Sequence, residues 1–172
     1  MRNTISVSLL CLSVVACSAG LQTKPGLTSL PNVSFHGPDR VAAGKLEPAD
    51  IAQLAAAGIK EVIDLRDDSE TPDFDEAAAV RAAGMRYHNL PIRGPQDLTE
   101  DNVRTLDALL RSAGDSPTLV HCVSSNRVGA LMALRAASLQ GMSNDDAVEI
   151  GRAWGLGSLE PAVRERLARE AQ

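Results

Sequence analysis

The residues that could do chemistry lie close together in one short stretch, LVHCVSSNRVGAL at residues 119–131. An apolar run ends at His121 and Cys122, and Arg127 follows the cysteine after four intervening residues. A cysteine thiolate is a strong nucleophile, and the planar fork of an arginine can pair with two oxygens of one oxyanion. This combination of residue types predicts a nucleophile that acts beside a bound oxyanion.

The stretch is predicted to form a loop that joins the end of a strand to the start of a helix. Such a loop turns its backbone N–H groups inward, and the helix N-terminus faces the same point. The positive end of the helix and Arg127 both favour the thiolate form of Cys122 at neutral pH. The two serines add hydroxyl donors, and the asparagine tolerates the left-handed backbone that such a loop requires. The predicted oxyanion-binding loop comprises Val123, Ser124, Ser125 and Asn126.

Strands and helices alternate along the chain around this loop. Residues 33–46 have the pattern of two short strands around a Gly-Pro turn. Further strands are predicted at 60–65, 85–90 and 118–121, and helices at 48–58, 74–84, 100–114, 127–141, 144–154 and 159–170. This order predicts an α/β fold with a central, mainly parallel sheet and helices on both faces. Cys122 then lies at the carboxyl edge of a strand, where open α/β sheets usually carry their sites.

The whole chain has the size and composition of one acidic domain. Its 172 residues suffice for a single sizeable core. The formal net charge is −5 and aromatic residues make up 2% of the chain. Nucleic-acid binding needs a basic face or aromatic stacking platforms, so we expect no nucleic-acid partner. The sequence carries no signal for the oligomeric state.

The first residues have the features of an export signal. Arg2 precedes an apolar run, ISVSLLCLSVVA, that is too short to span a bilayer stably. The run ends at VVACS, which resembles the lipobox of bacterial lipoproteins, whose cysteine is acylated and becomes the new N-terminus. We predict a signal peptide at 1–16, acylation of Cys17, a tether at 17–32 and the folded domain at 33–172. An ordinary cleaved signal with an incidental Cys17 is the alternative.

These predictions imply a cellular location and a number of free thiols. The protein is expected at the periplasmic face of a bacterial membrane, anchored by lipid on Cys17, or as a soluble periplasmic protein in the alternative case. Cys11 leaves with the signal and acylation uses Cys17, so Cys122 is the one free thiol among the three cysteines. Without acylation, Cys17 could instead form a disulfide with Cys122.

Three stretches of the sequence resemble a known group of enzymes. HCVSSNRVGAL is similar to the loop of the cysteine-dependent phosphatases of the tyrosine and dual-specificity type, which has the pattern His-Cys-x5-Arg-Ser/Thr. Together with AGKLEPADIAQLAAAGIKEVIDLRDDSE and YHNLPI, it more closely resembles the bacterial phosphatase-like family associated with β-lactamase-hydrolase-like proteins, also labelled as sulfurtransferases. The resemblance covers residues 33–154. It implies a tyrosine/dual-specificity phosphatase-like fold and hydrolysis of phosphate monoesters, on a small molecule or a protein, through a phospho-cysteine intermediate.

Two departures from the phosphatase loop leave other functions open. Cys122 and Arg127 are separated by four residues rather than five. Rhodanese sulfurtransferases use a loop of the shorter size, which fits one sulfur atom rather than a tetrahedral phosphate. Val128 stands where phosphatases carry the Ser or Thr that helps the thiolate leave. The alternatives are a sulfurtransferase that carries a persulfide on Cys122 and a non-catalytic module that binds phosphorylated or anionic ligands.

A phosphatase also needs a general acid that protonates the leaving oxygen. The resemblance implies an Asp on a loop ahead of the cysteine, and in this chain that loop is IRGPQDLTED. Asp97 is the predicted acid, with Asp101 and Glu100 as the next candidates. Acids at this place also suit the first turn of a helix, which is the competing interpretation.

Arg66 and His121 are predicted to support the loop rather than to react. Arg66 follows Asp64 at the end of a strand, so it can pair with an acid and brace the loop, or help to bind the anion. His121 is expected to orient the loop by hydrogen bonding. We predict no cofactor and no metal site, because His36 and His88 lack metal-ligand spacing with His121.

Overall fold

The computed structural model describes residues 26–170. The predicted signal peptide, the predicted acylation site Cys17 and residues 18–25 of the predicted tether lie outside the described residues. No helix within residues 26–170 combines the length and the apolar character that a bilayer crossing requires.

Five strands of the described residues form one sheet: β1 (Ser34–His36), β2 (Arg40–Ala43), β3 (Glu61–Asp64), β4 (Arg86–Asn89) and β5 (Thr118–His121). The strand order is β1-β2-β5-β3-β4. β1 pairs with β2 in the antiparallel sense, and the other neighbours are parallel. The mainly parallel sheet predicted from the alternating elements is confirmed.

Helices cover both faces of this sheet: α1 (Pro48–Ala57), α2 (Glu76–Ala82), α3 (Glu100–Ala113), α4 (Asn126–Gln140), α5 (Asn144–Ala153) and α6 (Glu160–Glu170). Successive strand residues point to opposite faces and so enter two separate cores. Leu119 belongs to the core beneath α1 and α2, whereas Val120 belongs to the core beneath α3, α4, α5 and α6. The predicted α/β architecture, with helices on both faces, is therefore confirmed.

Capping residues explain where the predicted helices begin and end. The Thr99 side chain accepts a hydrogen bond from the Asn102 N–H at the start of α3, and Ser143 caps α5 in the same way. Gly58 ends α1 in the left-handed conformation that favours glycine. α2 is shorter than predicted, because it begins after its capping residue Asp75, whose side chain accepts the Ala78 N–H.

Part of the predicted tether belongs to the packed domain. Leu27 and Leu30 are 0% and 4% exposed and lie in the core beneath α1. Pro31 accepts a hydrogen bond of 2.6 Å from the Gly44 N–H. The boundary predicted at residue 32 therefore needs correction, because two leucines three residues apart pack onto the domain despite the tether-like composition around them.

Close packing of α4 on α5 fixes the start of α4. A Cβ atom on Gly129 would lie 2.1 Å from the Leu156 nitrogen and 2.5 Å from the Gly151 carbonyl oxygen. Glycine is therefore required for α4 to approach α5 and the turn that follows it. The same turn brings Gly155 against Ser125, immediately ahead of α4.

Candidate active site

The loop at residues 122–127, here called the cysteine loop, leaves β5 and enters α4. It is attached to the exit of β2 by backbone hydrogen bonds, from Lys45 N–H to Val123 O at 3.0 Å and from Cys122 N–H to Ala43 O at 3.4 Å. A third bond, from Ser125 Oγ to Asn32 O at 3.0 Å, attaches it to the segment ahead of β1. The loop conformation is thus set by neighbouring backbone rather than by the loop alone.

The left-handed residue of the loop is Ser125, with φ 62° and ψ −4°, whereas Asn126 is already helical. This corrects the prediction that Asn126 takes up the left-handed backbone. Ser125 is fully buried and its hydroxyl is bound to Asn32, so its role is structural rather than that of an oxyanion donor. Ser124 is exposed and remains a candidate hydroxyl donor.

Asn126 instead uses its side chain to hold a wall of the site. Its Oδ1 accepts the Gly157 N–H at 2.8 Å, and its Nδ2 donates to Ser158 Oγ at 2.8 Å. These bonds attach the connection between α5 and α6 to the start of α4. Sequence reasoning could not supply this pairing, because it joins positions about thirty residues apart.

The start of α4 offers backbone donors. Within residues 26–170, the N–H groups of Ser124, Asn126 and Arg127 donate no hydrogen bond, and no side chain caps the helix. Free N–H groups at a helix N-terminus attract anions, since the helix dipole adds a partial positive charge there. The cysteine loop therefore has the donors that an oxyanion requires.

Arg127 is held in place by Glu70. Its Nη1 and Nη2 donate to Glu70 Oε1 and Oε2, each at 2.7 Å, and Nη1 also donates to Ile92 O at 2.9 Å. The guanidinium also hydrogen-bonds with Cys122. Glu70 thus engages the two Nη groups, and the part of the guanidinium that Glu70 does not occupy can meet an anion.

The guanidinium of Arg127 lies beside the cysteine. Hydrogen bonding to Glu70 raises the pKa of Arg127, burial opposes the rise, and the charge and hydrogen bonding of Cys122 add to it. The cysteine itself is 1% exposed. A buried sulfur next to a permanent positive charge can attack a ligand that the same guanidinium holds.

Glu70 is a site residue that sequence reasoning missed. It ends a short 3-10 helix (Asp68–Glu70) after β3, and its Oε1 also accepts the Asp67 N–H at 2.8 Å. Hydrogen bonding from Arg127 lowers the pKa of Glu70 below its ordinary range. The signal in the sequence was the Asp67-x-x-Glu70 spacing, a capping box that fixes the glutamate at the edge of the sheet near Arg127.

Arg66 and His121 lie in a buried charged cluster under the cysteine loop. Arg66 donates to both oxygens of Asp64 at 2.9 Å and also pairs with Glu76. His121 Nε2 lies 2.8 Å from Glu76 Oε1, although the ring is not oriented for a linear hydrogen bond. Both predicted supporting residues are buried. Arg66 is paired with two acids, which fits the expected bracing role and not direct binding of the anion.

The same cluster contains ligand types that metals use. Donor atoms of Asp64, Glu76 and His121 lie within 4.8 Å of one another. Arg66 already lies against both carboxylates, and a metal ion would have to displace this guanidinium from a dry interior. Burial acts to raise the pKa of Asp64, but hydrogen bonds from Arg66 outweigh it and keep the pKa below its ordinary value. These contacts fit an ion-pair cluster better than a metal site.

A pocket of about 570 Å³ lies over Arg127 and is here called the arginine pocket. Loops after β3, β4, β5 and α5 form its walls. Its acidic residues are both paired with arginines, Glu70 with Arg127 and Asp67 with Arg93. It is lined by Asp67, Ser69, Glu70, Arg93, Gly94, Pro95, Asn126, Arg127 and Leu159.

The predicted acid Asp97 does not line the arginine pocket. Its Oδ2 accepts the Arg93 N–H at 2.7 Å, within a short 3-10 helix (Pro95–Asp97). Of the two other candidates, Glu100 pairs with Arg104 on the surface of α3, and Asp101 lies in the first turn of that helix. None of the three carboxylates is brought to the cysteine loop in this conformation.

Comparison with known proteins identifies the family. Residues 32–139 match the family described as "Beta-lactamase hydrolase-like protein, phosphatase-like domain". The chain belongs to this family. A β-lactamase hydrolase-like protein from Agrobacterium fabrum is 32% identical over 117 residues, which are 66% of this chain and 27% of that protein. The chain thus spans about a quarter of the length of the curated relatives that it matches.

Solved structures agree with this assignment. A candidate phosphatase from Shewanella putrefaciens is 22% identical, with a TM-score of 0.66 over 84% of this chain and 96% of that one. One from Neisseria meningitidis is 26% identical, with a TM-score of 0.65 over 80% and 97%. Pseudomonas aeruginosa TpbA, solved as a cysteine-to-serine variant in complex with phosphotyrosine, is 19% identical, with a TM-score of 0.56 over 81% and 89%. The predicted tyrosine/dual-specificity phosphatase-like fold is confirmed, and at the family level the chain is a phosphatase-like domain.

Proposed function

We propose that this protein hydrolyses phosphate monoesters through a phospho-cysteine intermediate. The thiolate of Cys122 attacks phosphorus, so that an S–P bond forms and the bond to the leaving oxygen breaks. A proton from an acid or from water neutralises the leaving oxygen. Water then attacks the phosphorus, so that an O–P bond forms and the S–P bond breaks, which releases inorganic phosphate and regenerates the thiolate.

The observation that carries this proposal is the arrangement of Arg127 between Glu70 and Cys122. The glutamate binds both Nη groups of the guanidinium, and Cys122 lies close enough to hydrogen-bond with the same guanidinium. Donors fixed before the reaction stabilise the charge that develops on the phosphoryl oxygens, because they need no reorganisation. The free N–H groups at the start of α4 add to the same cradle.

The leaving oxygen needs a proton donor. Two carboxylates line the arginine pocket, and both are ionised at neutral pH. Hydrogen bonds from Ser69 keep the pKa of Asp67 below its ordinary range, and hydrogen bonds from Arg127 do the same for the pKa of Glu70. Neither is a ready proton donor. Asp97 remains our proposed acid, and this role requires its loop to release it from the Arg93 N–H.

A parallel assay tests the proposed reaction. The purified mature protein is given an aryl phosphate in one reaction and thiosulfate with cyanide in the other. We expect release of phosphate from the aryl ester and no thiocyanate, and we expect Cys122→Ser to abolish the release. Thiocyanate formation without phosphate release would contradict the proposal.

The four-residue spacing between Cys122 and Arg127 favours one competing function, a sulfurtransferase. In that reaction the outer sulfur of thiosulfate transfers to Cys122, sulfite leaves, and cyanide removes the sulfur from the persulfide as thiocyanate. The reaction needs no general acid, which fits a pocket whose two carboxylates are both paired with arginines. A non-catalytic anion-binding module would bind phosphate in the same loop and turn over neither substrate.

We further propose a phosphorylated small molecule or protein as the ligand, a view supported by the phosphotyrosine complex of the related TpbA fold. Acylation of Cys17 and a location at the periplasmic face of a membrane rest on the sequence alone. Metabolic labelling with a fatty-acid analogue tests the anchor. We expect label on the wild type and none on Cys17→Ser, and equal labelling of both would contradict the lipobox interpretation.

A further inference from the structure

The arginine pocket is larger than one phosphoryl group. Its volume of about 570 Å³ falls within the roughly 300–1,000 Å³ that is usual for sites of whole small molecules. None of the described residues that line it is aromatic, so stacking of a ring among them is not the basis of recognition there. Charged groups on two different loops face it instead, and they decide which ligands it favours.

Arg93 is the second guanidinium of this pocket. Its side chain is 65% exposed, and its Nη2 donates to Asp67 Oδ2 at 2.5 Å. Within residues 26–170, its Nε and Nη1 groups have no partner. The backbone at Arg93 is fixed by the bond from its N–H to Asp97, so the guanidinium is presented from a constrained loop.

The pairs Arg93–Asp67 and Arg127–Glu70 have the same arrangement. In each pair an acid from the loop after β3 engages one part of a guanidinium and leaves other N–H groups for a ligand. Asp67 is itself held through its Oδ1, which accepts from the backbone and the hydroxyl of Ser69. Two arginines with free donors thus face one pocket, and only one of them is adjacent to Cys122.

We propose that Arg93 is a specificity residue that binds a second anionic group of the substrate, a phosphate or a carboxylate. Preferred substrates would then be phosphate monoesters that carry another anionic group within reach of the same pocket. This inference rests on the proposed function, because it assigns the transferred phosphoryl group to Arg127. Charge-assisted hydrogen bonds to arginine supply the preference.

Binding to the Cys122→Ser variant tests this inference without turnover. The probes are methylphosphonate, which has one anionic group, and a series of α,ω-diphosphonates with one to three methylene groups between their phosphorus atoms. Affinities are measured by calorimetry at two salt concentrations. We expect the best diphosphonate to bind about tenfold tighter than methylphosphonate, equivalent to about 1.4 kcal/mol.

Added substitutions show whether Arg93 causes the preference. Arg93→Gln should remove the advantage of the diphosphonate and leave methylphosphonate binding unchanged. Asp67→Asn should increase the advantage, because it releases the guanidinium from its internal acid. Arg104→Gln is the matched control, since Arg104 is an exposed arginine paired with an acid on α3, and it should change neither affinity.

The outcomes separate this inference from the proposed function. Binding of methylphosphonate with no gain for any diphosphonate would overturn the role of Arg93 alone, as would a gain that survives Arg93→Gln. Failure of every phosphonate to bind would overturn both proposals. A gain that is lost in Arg93→Gln and kept in Arg104→Gln supports the inference.

Discussion

The carboxylate of Glu70 and the guanidinium of Arg127 meet end to end through two hydrogen bonds of 2.7 Å. Glu70 is on the loop after β3 and Arg127 is in the first turn of α4, so the pair joins two separate loops across the site. Because Glu70 bonds only to the two Nη groups, it fixes the orientation of the oxyanion-binding residue without occupying the Nε group.

Loss of Glu70 should therefore lower activity without unfolding the protein. We expect Glu70→Gln to reduce kcat/KM for an aryl phosphate by up to about 10²-fold, the scale on which misplacement of a positioning group acts. Glu165→Gln is the matched control, because Glu165 also pairs with an arginine, Arg169, but lies on the surface of α6. The kinetics are measured together with Tm, and equal kcat/KM in both variants would remove the positioning role.

Alkylation of Cys122 reports on Arg127 directly. Ordinary thiolates react faster with neutral iodoacetamide than with iodoacetate, because like charges repel. Beside Arg127 we expect the reverse order, and we expect inorganic phosphate to protect Cys122. The rates are followed by mass spectrometry of the peptide that contains Cys122. If Arg127→Gln keeps the reversed order, the arginine is not the anion site.

The role of Asp97 depends on the leaving group. If Asp97 supplies the proton, Asp97→Asn should slow turnover of alkyl phosphates by about 10²-fold or more, the usual scale for loss of a general acid. Nitrophenyl phosphate should be affected much less, since nitrophenolate leaves without a proton. Steady-state rates on both substrates decide the matter. A small and equal effect on the two would mean that Asp97 only shapes the loop through its bond to Arg93.

Acid should destabilise the fold through His36. The imidazole stacks on Trp154 with centroids 3.6 Å apart, and burial lowers the pKa of His36 from 6.5 to about 4. Between these two values the unfolded chain binds a proton that the folded chain does not, so the free energy of unfolding falls as the pH drops. The stabilisation is fully present above the unfolded value.

Denaturant unfolding at several pH values tests this linkage. Trp154 is the one tryptophan of the chain, and its fluorescence reports on the stacked site. We expect a steeper loss of stability between about pH 6.5 and pH 4 in the wild type than in His36→Phe, which keeps a stacked ring without a titrating group. Parallel stability curves for the two proteins would contradict the assignment.

The parts of the site that could be predicted from sequence are those that depend on local order. Cys122 and Arg127 follow a strand and begin a helix, so their placement required only the pattern of a few neighbouring residues. Glu70 and the side-chain bonds of Asn126 were missed because they connect loops far apart in the sequence. Leu27 and Leu30 were assigned to a tether because composition averaged over a segment hides the individual side chains that pack.

The prediction of Asp97 as the general acid was limited in the same way. A position on the expected loop was visible in the sequence, but the direction of a carboxylate depends on the hydrogen bond that captures it. The ion-pair cluster of Asp64, Arg66, Glu76 and His121 was foreseen only in part, since three elements have to pack before its charges meet.

Trapping of the covalent intermediate tests the central claim most directly. The mature protein is mixed with excess aryl phosphate or with thiosulfate, and the reaction is stopped in denaturant. The protein is then digested, and the mass of the peptide that contains Cys122 is measured by mass spectrometry. Val128 replaces the hydroxyl residue that would help the thiolate leave, so the intermediate should accumulate. We predict the mass of a phosphoryl group on Cys122 after the aryl phosphate and no added sulfur after thiosulfate. An added sulfur atom after thiosulfate, with no phosphoryl group after the ester, would contradict the account.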